Sequence, residues 1–293
     1  MPSPPESVAT PKRWPEEPPM VSAIIVSHNS GADLANCVGD LLAQDIALEI
    51  IVVDNASTDG SVEALPTHTT LCVLRNPDNR GFATACNQGA ARATAARLLF
   101  VNPDCRLPAD ALARLCRHLD AEPDIGILGA NLRESDGTPQ PAAQRRTPMP
   151  MRAIRDVLGI EAELAAQPVT QTGSLLQVEA TSGALMLMRR RVFEKLQGFD
   201  TGYRLHCEDL DLCRRALQAG YQVAIALDVA ITHHKGTSSR RRPIWVEWQK
   251  HRGMWRYFRK FDAASSPLWL RLLVLLGIVA HFPFAALRAL WRR

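Results

Sequence analysis

The chain has 293 residues, of which 46% are hydrophobic and 22% are charged, and its formal net charge is +4. This composition fits a globular chain with one large or two small domains. The seven cysteines form no CxxC pair, so they argue against a disulfide framework or a zinc site and indicate a reducing compartment.

Residues 1–19 are rich in proline and have no apolar core, so they predict a disordered leader and not a secretory signal. Apolar strands then alternate with helical segments over residues 20–110. The strands are VSAIIVS, LEIIVVD, TTLCVLR and LLFV, and the helices are ADLANCVGDLLAQ and FATACNQGAARATAARL. The alternation predicts an α/β fold whose mostly parallel sheet is covered by helices on both faces.

Polar residues follow three of these strands at the point where each strand ends. The groups are Ser27-His28-Asn29, Asp54-Asn55-Ala56-Ser57 and Asn102-Pro103-Asp104. Pro103 has no N–H for a sheet ladder, which leaves Asp104 just beyond its strand. Each group alone is typical of a turn or a helix cap. Three groups on one sheet edge favour a shared ligand site, because such sheets bind ligands beyond the carboxyl ends of their strands.

Two common phosphate-binding motifs are missing from the sequence. No GxGxxG follows the first strand, and no GxxxxGK[ST] occurs anywhere in the chain. A bound nucleotide would therefore need another counter-charge for its phosphates. A divalent metal ion held by carboxylates would supply that charge.

The second half of the chain alternates less clearly. Residues 133–172 are rich in Pro, Gln and Arg and predict a mobile or acceptor-facing region. The later elements predicted are a strand from Ala184 to Met188, a helix ending near Gly198, a helix opened by Glu208, Asp209 and Asp211 and ended by Gly220, a strand from Gln222 to Ala226, and the pair His233-His234. Acids at a helix start and isolated histidines are usual without function, so these patterns do not establish a site.

The C-terminal region combines a basic block with an apolar run. Between Lys235 and Lys260 the only acid is Glu247, and the run Leu272–Leu287 that follows is interrupted only by His281. This order predicts attachment to a membrane surface that carries anionic lipid. A nucleic-acid patch is the alternative, since tryptophans lie among the arginines, but it leaves the apolar run unexplained.

The sequence also bears on how the tail attaches to the membrane. The run is shorter than the roughly 20 residues of a spanning helix, and Pro283 disfavours a straight one. We therefore expect a monotopic or re-entrant attachment at the cytoplasmic face of the membrane. A hairpin of core helices packed on the catalytic domain is the alternative.

Seven motifs in order carry a resemblance to a known family: SAIIVSHNS, EIIVVDNASTDGS, NRGFATACNQGA, LLFVNPD, SGALMLMRR, GFDTGYRLHCEDLDLCRRALQAGY and THHKGTSS. Over about residues 20–240 the chain resembles family 2 glycosyltransferases of the GT-A fold, in the rhamnosyltransferase-like branch. The resemblance implies a nucleotide-sugar half at 20–110 and an acceptor and catalytic half at 111–240. The basic and apolar segment at 241–293 is expected to form a helical, membrane-associated tail.

The resemblance also implies roles for individual residues. The nucleotide sugar would be bound by Ser27, His28, Asn29, Asp54, Asn55, Arg80, Gly81 and Asn102. Asn102 replaces the first acid of the family's DxD motif, which leaves Asp104 as the main carboxylate ligand of a magnesium or manganese ion. His233 would complete the metal site, with His234 a close second. Asp209 would be the general base, Glu208 would orient the acceptor, and Asp211 is the substitute base.

The implied reaction is inverting, metal-dependent transfer of a sugar from a nucleotide sugar. The branch suggests rhamnose from dTDP-rhamnose, although no residue identifies the sugar or the base. A glycan or polyprenyl-linked acceptor in cell-surface polysaccharide synthesis would suit a membrane-proximal tail, and no nucleic-acid partner is expected. The alternative is a catalytically inactive, sugar-nucleotide-binding relative acting as a scaffold, which only Asn102 favours.

Overall fold

The computed structural model describes residues 19–140, 143–148, 171–234 and 243–291. The expected leader therefore lies outside the described residues except for its last position. The same is true of residues 149–170 within the polar stretch and of residues 235–242, which open the basic block.

The first half of the chain forms the predicted parallel sheet. Its elements are β1 (Val21–Ser27), α1 (Ala32–Leu42), β2 (Leu48–Asp54), β3 (Leu71–Arg75), α2 (Phe82–Arg92), β4 (Arg97–Val101) and β5 (Cys105–Arg106). The strands β3, β2, β1 and β4 are neighbours in that order, and each of these pairs is parallel. The carboxyl ends of β1, β2 and β4 therefore meet at one edge, as the sequence predicts.

The second half extends this sheet with mixed pairing. Its elements are α3 (Ala111–Ala121), β6 (Ile125–Arg133), β7 (Gln171–Thr172), β8 (Leu175–Gln177), β9 (Leu185–Arg189), α4 (Arg190–Lys195), α5 (Glu208–Gln218) and β10 (Gln222–His233). The full order is β3-β2-β1-β4-β9-β6-β10-β8-β7, with β5 paired to β10. Strand β9 runs antiparallel to both β4 and β6, so the GT-A expectation of a mostly parallel sheet holds with an antiparallel insertion.

The strand that begins at Gln222 is longer than the sequence predicts. The sequence places its end near Ala226, whereas β10 continues to His233. The register against β6 shifts between Ala226 and Ala230, and pairing resumes beyond the shift. Because β10 continues, its last residue reaches the sheet edge at which Asp104 lies, and His233 pairs with Cys105 of β5.

Helices cover both faces of the sheet. Alternate residues of β1 point to opposite faces, so Ala23 and Ile25 pack with α1 and α3, whereas Ile24 packs with α2, α4 and α5. Both faces of β1 and β2 are buried, which accounts for their continuous apolar sequences.

The tail forms two helices, α6 (Pro243–Phe261) and α7 (Leu268–Trp291). They pack side by side, with the rings of Trp248 and Phe282 5.6 Å apart. Leu270 is the only buried residue of α7, and α7 continues past Pro283, so the proline does not end the helix. In the described ranges, α7 is the one helix long and apolar enough to cross a membrane.

Candidate active site

The ends of β1 and β2 form a continuous polar edge. Ser27 pairs with Asp54 in register, and the Asp54 carboxylate accepts a hydrogen bond from the Ser57 N–H at 3.0 Å. The His28 ring lies 2.8 Å from the Asn55 carbonyl, and the Asn55 amide donates to the Gly81 carbonyl at 3.3 Å. The structure thus brings together most of the residues that the sequence assigned to the nucleotide sugar.

The remaining residues that the sequence assigned to the nucleotide sugar lie next to this edge, two of them in the loop before α2. Asn29 has a φ of 54° and accepts a hydrogen bond from the Thr58 N–H at 2.8 Å. Arg80 is exposed and lies 3.7 Å from the Asp78 carboxylate. Gly81 has a φ of 84°, and a Cβ there would lie 2.8 Å from the Arg204 carbonyl oxygen. A glycine is therefore required where this loop meets the segment that leads to α5.

Asp104 and His233 face each other across the sheet edge. The Asp104 Oδ1 atom lies 3.2 Å from His233 Nε2 and has no hydrogen-bond partner among the described residues. On the other side of the imidazole, Nδ1 lies 3.0 Å from Gln140 Oε1, and Gln140 Nε2 donates to the His233 carbonyl at 2.8 Å.

The two hydrogen bonds of Gln140 select one tautomer of the neutral His233 ring. Since the Gln140 nitrogen donates to a carbonyl, its Oε1 accepts, and the proton of a neutral His233 lies on Nδ1. The lone pair of His233 Nε2 then points at the Asp104 carboxylate. Two acceptors that face each other repel unless a proton or a metal ion lies between them, and a carboxylate with an imidazole is a common ligand pair, so the residues present fit a divalent metal ion.

Two neighbours are less suited to a metal ion. The ligand atoms of Asp104, Cys105 and His233 lie within 4.8 Å of one another, but burial raises the pKa of the Cys105 thiol and its proton points to the Ala184 carbonyl, 3.4 Å away. His234 is exposed, and its Nδ1 lies 2.9 Å from Ser135 Oγ. Of the two histidines proposed from the sequence, His233 is the one that faces Asp104.

Asn102 lies beside this cluster and contacts its neighbours through the main chain. Its N–H donates to the Ala184 carbonyl at 2.8 Å, and its own carbonyl accepts from the Cys105 N–H at 3.2 Å. These contacts fix the turn between β4 and β5, which positions Asp104.

The start of α5 carries the second group of acids. Asp209 forms an ion pair with Arg145 and accepts a hydrogen bond from the Gly183 N–H at 2.9 Å. Burial favours the neutral carboxyl, but the Arg145 charge and these hydrogen bonds hold the pKa of Asp209 below its usual value. Asp209 is therefore ionised, which is the form that a general base requires.

Glu208 has the opposite electrostatics. Burial and the adjacent Asp209 charge raise its pKa to about 8, so its carboxyl is mostly protonated at neutral pH. Its buried Oε2 atom has no hydrogen-bond partner among the described residues. The neutral Glu208 carboxyl can donate a hydrogen bond to the oxygen of a bound hydroxyl. The ionised Asp209 carboxylate can accept a hydrogen bond from the same hydroxyl.

Asp211 is held in place by two cations. It has no exposed surface, it pairs with Arg215 one turn later on α5, and Lys260 Nζ of α6 lies 2.6 Å from it. These ion pairs tie α5 to the tail. The structure thus places Asp211 at a helix contact, while Asp209 lies beside Gly183.

The two acid clusters share a connecting segment. The Gly183 N–H contacts Asp209, and the carbonyl of the next residue, Ala184, contacts Asn102 and Cys105. Consecutive Cα atoms are about 3.8 Å apart, so the Gly183-Ala184 segment lies against both clusters.

Sequence reasoning missed Gln140 and Arg145. Both lie in the polar stretch that it described only as mobile or acceptor-facing, and they contact His233 and Asp209, respectively. Their alternation with other polar residues gave no signal that would single them out.

Comparison with known proteins gives consistent matches. The family model described as glycosyl transferase family 2 matches residues 22–197. The chain is 25% identical over 244 residues to the N-acetylglucosaminyl-diphospho-decaprenol L-rhamnosyltransferase of Mycobacterium tuberculosis, covering 76% of this chain and 79% of that protein. It is 26% identical over 211 residues to the rhamnosyltransferase WbbL of Escherichia coli K12, covering 70% and 79%, respectively.

Solved structures show the same fold. The mannosyltransferase PcManGT from Pyrobaculum calidifontis, solved with GDP-Man and Mn²⁺, superposes with a TM-score of 0.58 at 22% identity. The match covers 95% of this chain and 76% of that one. The likeness establishes a GT-A architecture for the α/β sheet described above.

Proposed function

The chain belongs to glycosyl transferase family 2, and on that premise we propose that it transfers a sugar with inversion from a nucleotide sugar to a lipid-linked glycan, using a divalent metal ion. Its glycosyltransferase activity follows from the family. Rhamnose is the sugar we propose, because the relatives described above are named rhamnosyltransferases.

The observation that carries this proposal is the juxtaposition of two kinds of acid. Asp104 lies 3.2 Å from Nε2 of the buried His233 and pairs with no lysine or arginine of the described residues, while Asp209 is ionised next to Arg145. The Gly183-Ala184 segment joins them. Nucleotide-sugar transfer needs both kinds, one to hold the metal ion and one to take a proton.

In this proposal Asp104 and His233 hold Mg²⁺ or Mn²⁺. When bound, the ion supplies positive charge that stabilises the diphosphate of the leaving nucleotide. Gln140 keeps the His233 ring in the tautomer that can act as a ligand. The polar edge at Asp54 and Asn55 binds the base and ribose of the nucleotide. Gly81 lets the loop before α2 pack closely against the segment that leads to α5.

Asp209 accepts the proton of the acceptor hydroxyl as the oxygen attacks the anomeric carbon. Arg145 keeps this carboxylate ionised and fixes its orientation, together with the Gly183 N–H. Glu208, protonated at neutral pH, donates a hydrogen bond that positions the acceptor. Because attack comes from the side opposite the leaving diphosphate, the configuration inverts.

In this proposal the tail attaches the enzyme to a membrane. Helix α7 has 24 residues, and at 1.5 Å per residue it is about 36 Å long, against roughly 30 Å for a hydrocarbon core. All seven cysteines are free, which fits a reducing compartment and hence the cytoplasmic face. A lipid-linked acceptor would then be presented in the same plane as the active site.

Acceptor-free hydrolysis tests the proposed reaction. We expect the full-length protein to hydrolyse dTDP-rhamnose in a panel of nucleotide sugars, with Mn²⁺ required and EDTA inhibiting. Hydrolysis of another member of the panel would change the sugar and leave the reaction class intact. Nucleotide binding without hydrolysis or transfer would support the inactive-scaffold alternative.

Substitution of exposed residues on α7 tests the membrane attachment. Leu276 and Val279 are 64% and 60% exposed, so Leu276→Asp with Val279→Asp removes apolar surface and leaves the core unchanged. We expect this variant to lose binding to anionic vesicles in flotation assays and to keep donor hydrolysis. Unchanged flotation would exclude α7 as the anchor.

A further inference from the structure

A basic cavity lies between the catalytic domain and the tail, apart from the acids of the active site. Its volume is about 560 Å³. It is bounded on one side by the loop that precedes α5 and on the other by α6. The residues that matter here are Asp200, Tyr203, Arg204, Arg252, Trp255 and Arg259, with Arg256 and Lys260 completing the wall.

The charge of this cavity is strongly positive. Its lining has five cationic side chains and one acid, Asp200. Burial tends to raise the pKa of Asp200, but hydrogen bonds from Lys260, the Gly202 N–H and Arg256 lower it to about 2, so it is ionised. Arg256 and Lys260 pair with Asp200, and Lys260 also pairs with the buried Asp211, which it shares with Arg215.

Three arginines of the cavity have no carboxylate partner among the described residues. Arg204 donates to the main-chain carbonyl of Asn79 at 3.1 Å, and Arg252 and Arg259 are exposed on α6, one on each side of Trp255 in sequence. Guanidinium groups suit phosphate oxygens because their N–H donors form a planar fork. An anion with several oxygens would offset the repulsion among them.

The cavity is joined to the catalytic machinery on two sides. A Cβ on Gly253 of α6 would lie 3.1 Å from Cys207 Sγ, directly before Glu208. The Arg204 carbonyl oxygen packs against Gly81, in the loop before α2. The cavity lining also includes Lys260, near the end of α6, so a ligand here would lie between the loop before α5 and the helix that leads to α7.

We propose that this cavity binds the diphosphate of the lipid-linked acceptor, which deepens the proposed function and rests on it. Arg204, Arg252 and Arg259 hold the phosphate oxygens, and Trp255 packs against the first part of the lipid chain. The sugar hydroxyl to be glycosylated then points along the loop before α5 to Asp209. The tail thereby contributes to acceptor binding as well as to membrane attachment.

The test uses full-length protein in neutral detergent and farnesyl diphosphate as the probe, followed by calorimetry. EDTA is present, so that the probe cannot bind through a metal ion at Asp104. We expect saturable binding that inorganic diphosphate and farnesol reproduce only weakly. Arg252→Gln with Arg259→Gln should weaken it about tenfold or more, because two charged hydrogen-bonding groups are lost.

The matched control is Arg92→Gln with Arg117→Gln, which removes the same charge from exposed positions on α2 and α3. It should bind the probe as the wild type does. Equal binding by the cavity variant, or equal weakening in the control, would overturn the proposal. Thermal unfolding of each variant checks that the fold persists.

Competition on the wild type separates the sources of a phosphate ligand. We expect that saturating dTDP leaves the calorimetric affinity for farnesyl diphosphate unchanged, and that phosphatidylglycerol micelles at the probe's own concentration weaken it little. Displacement by dTDP would make the cavity part of the donor site, and efficient displacement by phosphatidylglycerol would make it a lipid headgroup site; either result overturns the acceptor assignment. Absence of probe binding by the wild type with intact donor hydrolysis would refute this inference alone, whereas absence of hydrolysis with every nucleotide sugar would refute the proposed function.

Discussion

The acids at the sheet edge and the acids at the start of α5 are the same residue types in different surroundings. Among the residues that the structure describes, Asp104 faces His233 and no lysine or arginine, while Asp209 and Asp211 each face arginine or lysine. An acid without a counter-charge suits a metal ion, whereas an acid paired with a cation stays ionised and already has its charge balanced. The residue opposite a carboxylate therefore decides what the carboxylate can do.

The largest expected effect comes from removing the acid at the sheet edge. Asp104→Asn should abolish sugar transfer and donor hydrolysis, because His233 alone cannot hold the metal ion. Thermal stability should change little, since Asp104 lies in a loop and its Oδ1 atom has no hydrogen-bond partner to lose. Activity assays and melting curves measure both quantities.

Asp45→Asn is the control for this substitution, because Asp45 is an exposed acid near the end of α1. It should leave activity and stability unchanged. A loss of stability in Asp104→Asn on the scale of a core mutant, about 2–5 kcal/mol, would assign Asp104 a structural role.

The next largest effect comes from removing the proposed general base, which tests whether the two acid clusters have different roles. Asp209→Asn should reduce transfer by about 10²–10⁴-fold, since a positioned general base contributes on that scale. Donor affinity should stay near the wild-type value, because the sheet edge is intact. Steady-state kinetics measures the transfer rate, and a nucleotide-binding assay measures donor affinity. A large loss of donor affinity in Asp209→Asn would refute the role of Asp209 as the general base.

Asp211 is expected to affect folding more than catalysis. Asp211→Asn leaves Arg215 and Lys260 without their common partner, and breaking a buried ion pair costs about 3–5 kcal/mol. We expect lower unfolding free energy in urea, with turnover per folded molecule largely kept. Near-normal turnover in Asp209→Asn together with complete loss in a well-folded Asp211→Asn would exchange the two assignments.

The smallest effect concerns the pH dependence of stability. The pKa of Glu208 is raised to about 8 in the folded chain, so its contribution to stability is complete at acidic pH and is lost as pH rises towards 8. Glu208→Gln cannot ionise and lacks this dependence. Its melting temperature relative to wild type should therefore increase between pH 5 and pH 8.

Glu194→Gln, at an exposed position on α4, is the control for the Glu208 experiment. Its melting temperature should follow the wild type at every pH. A Glu208→Gln difference that stays constant with pH would show that Glu208 ionises normally in the folded protein.

The two regions also differ in how far the sequence predicts them. The sheet edge follows from local signals, because apolar strands, a stop at Pro103 and polar residues after each strand all lie close together in the chain. The environment of Asp209 depends on Arg145, which is distant in sequence and lies in a stretch without periodicity. Motifs identify such acids, but only the tertiary contacts of Arg145 and Lys260 distinguish Asp209 from Asp211.

The extent of β10 was underestimated for a related reason. Its register shifts after Ala226, where Asp228 interrupts the apolar pattern and binds Arg114 and His118 of α3. Pairing resumes beyond the shift and carries His233 to Asp104. A local pattern ends where the apolar residues end, whereas the strand continues because β6 and β5 still offer hydrogen-bonding partners.

Titration of Mn²⁺ into the protein, followed by electron paramagnetic resonance, tests the separation of the two acid clusters most directly. The wild type and Asp209→Asn should bind Mn²⁺ alike in the presence of dTDP, while Asp104→Asn and His233→Gln should bind it at least about tenfold more weakly. Normal Mn²⁺ binding by Asp104→Asn, or its loss in Asp209→Asn, would contradict the assignment of metal binding to the sheet edge and proton transfer to α5.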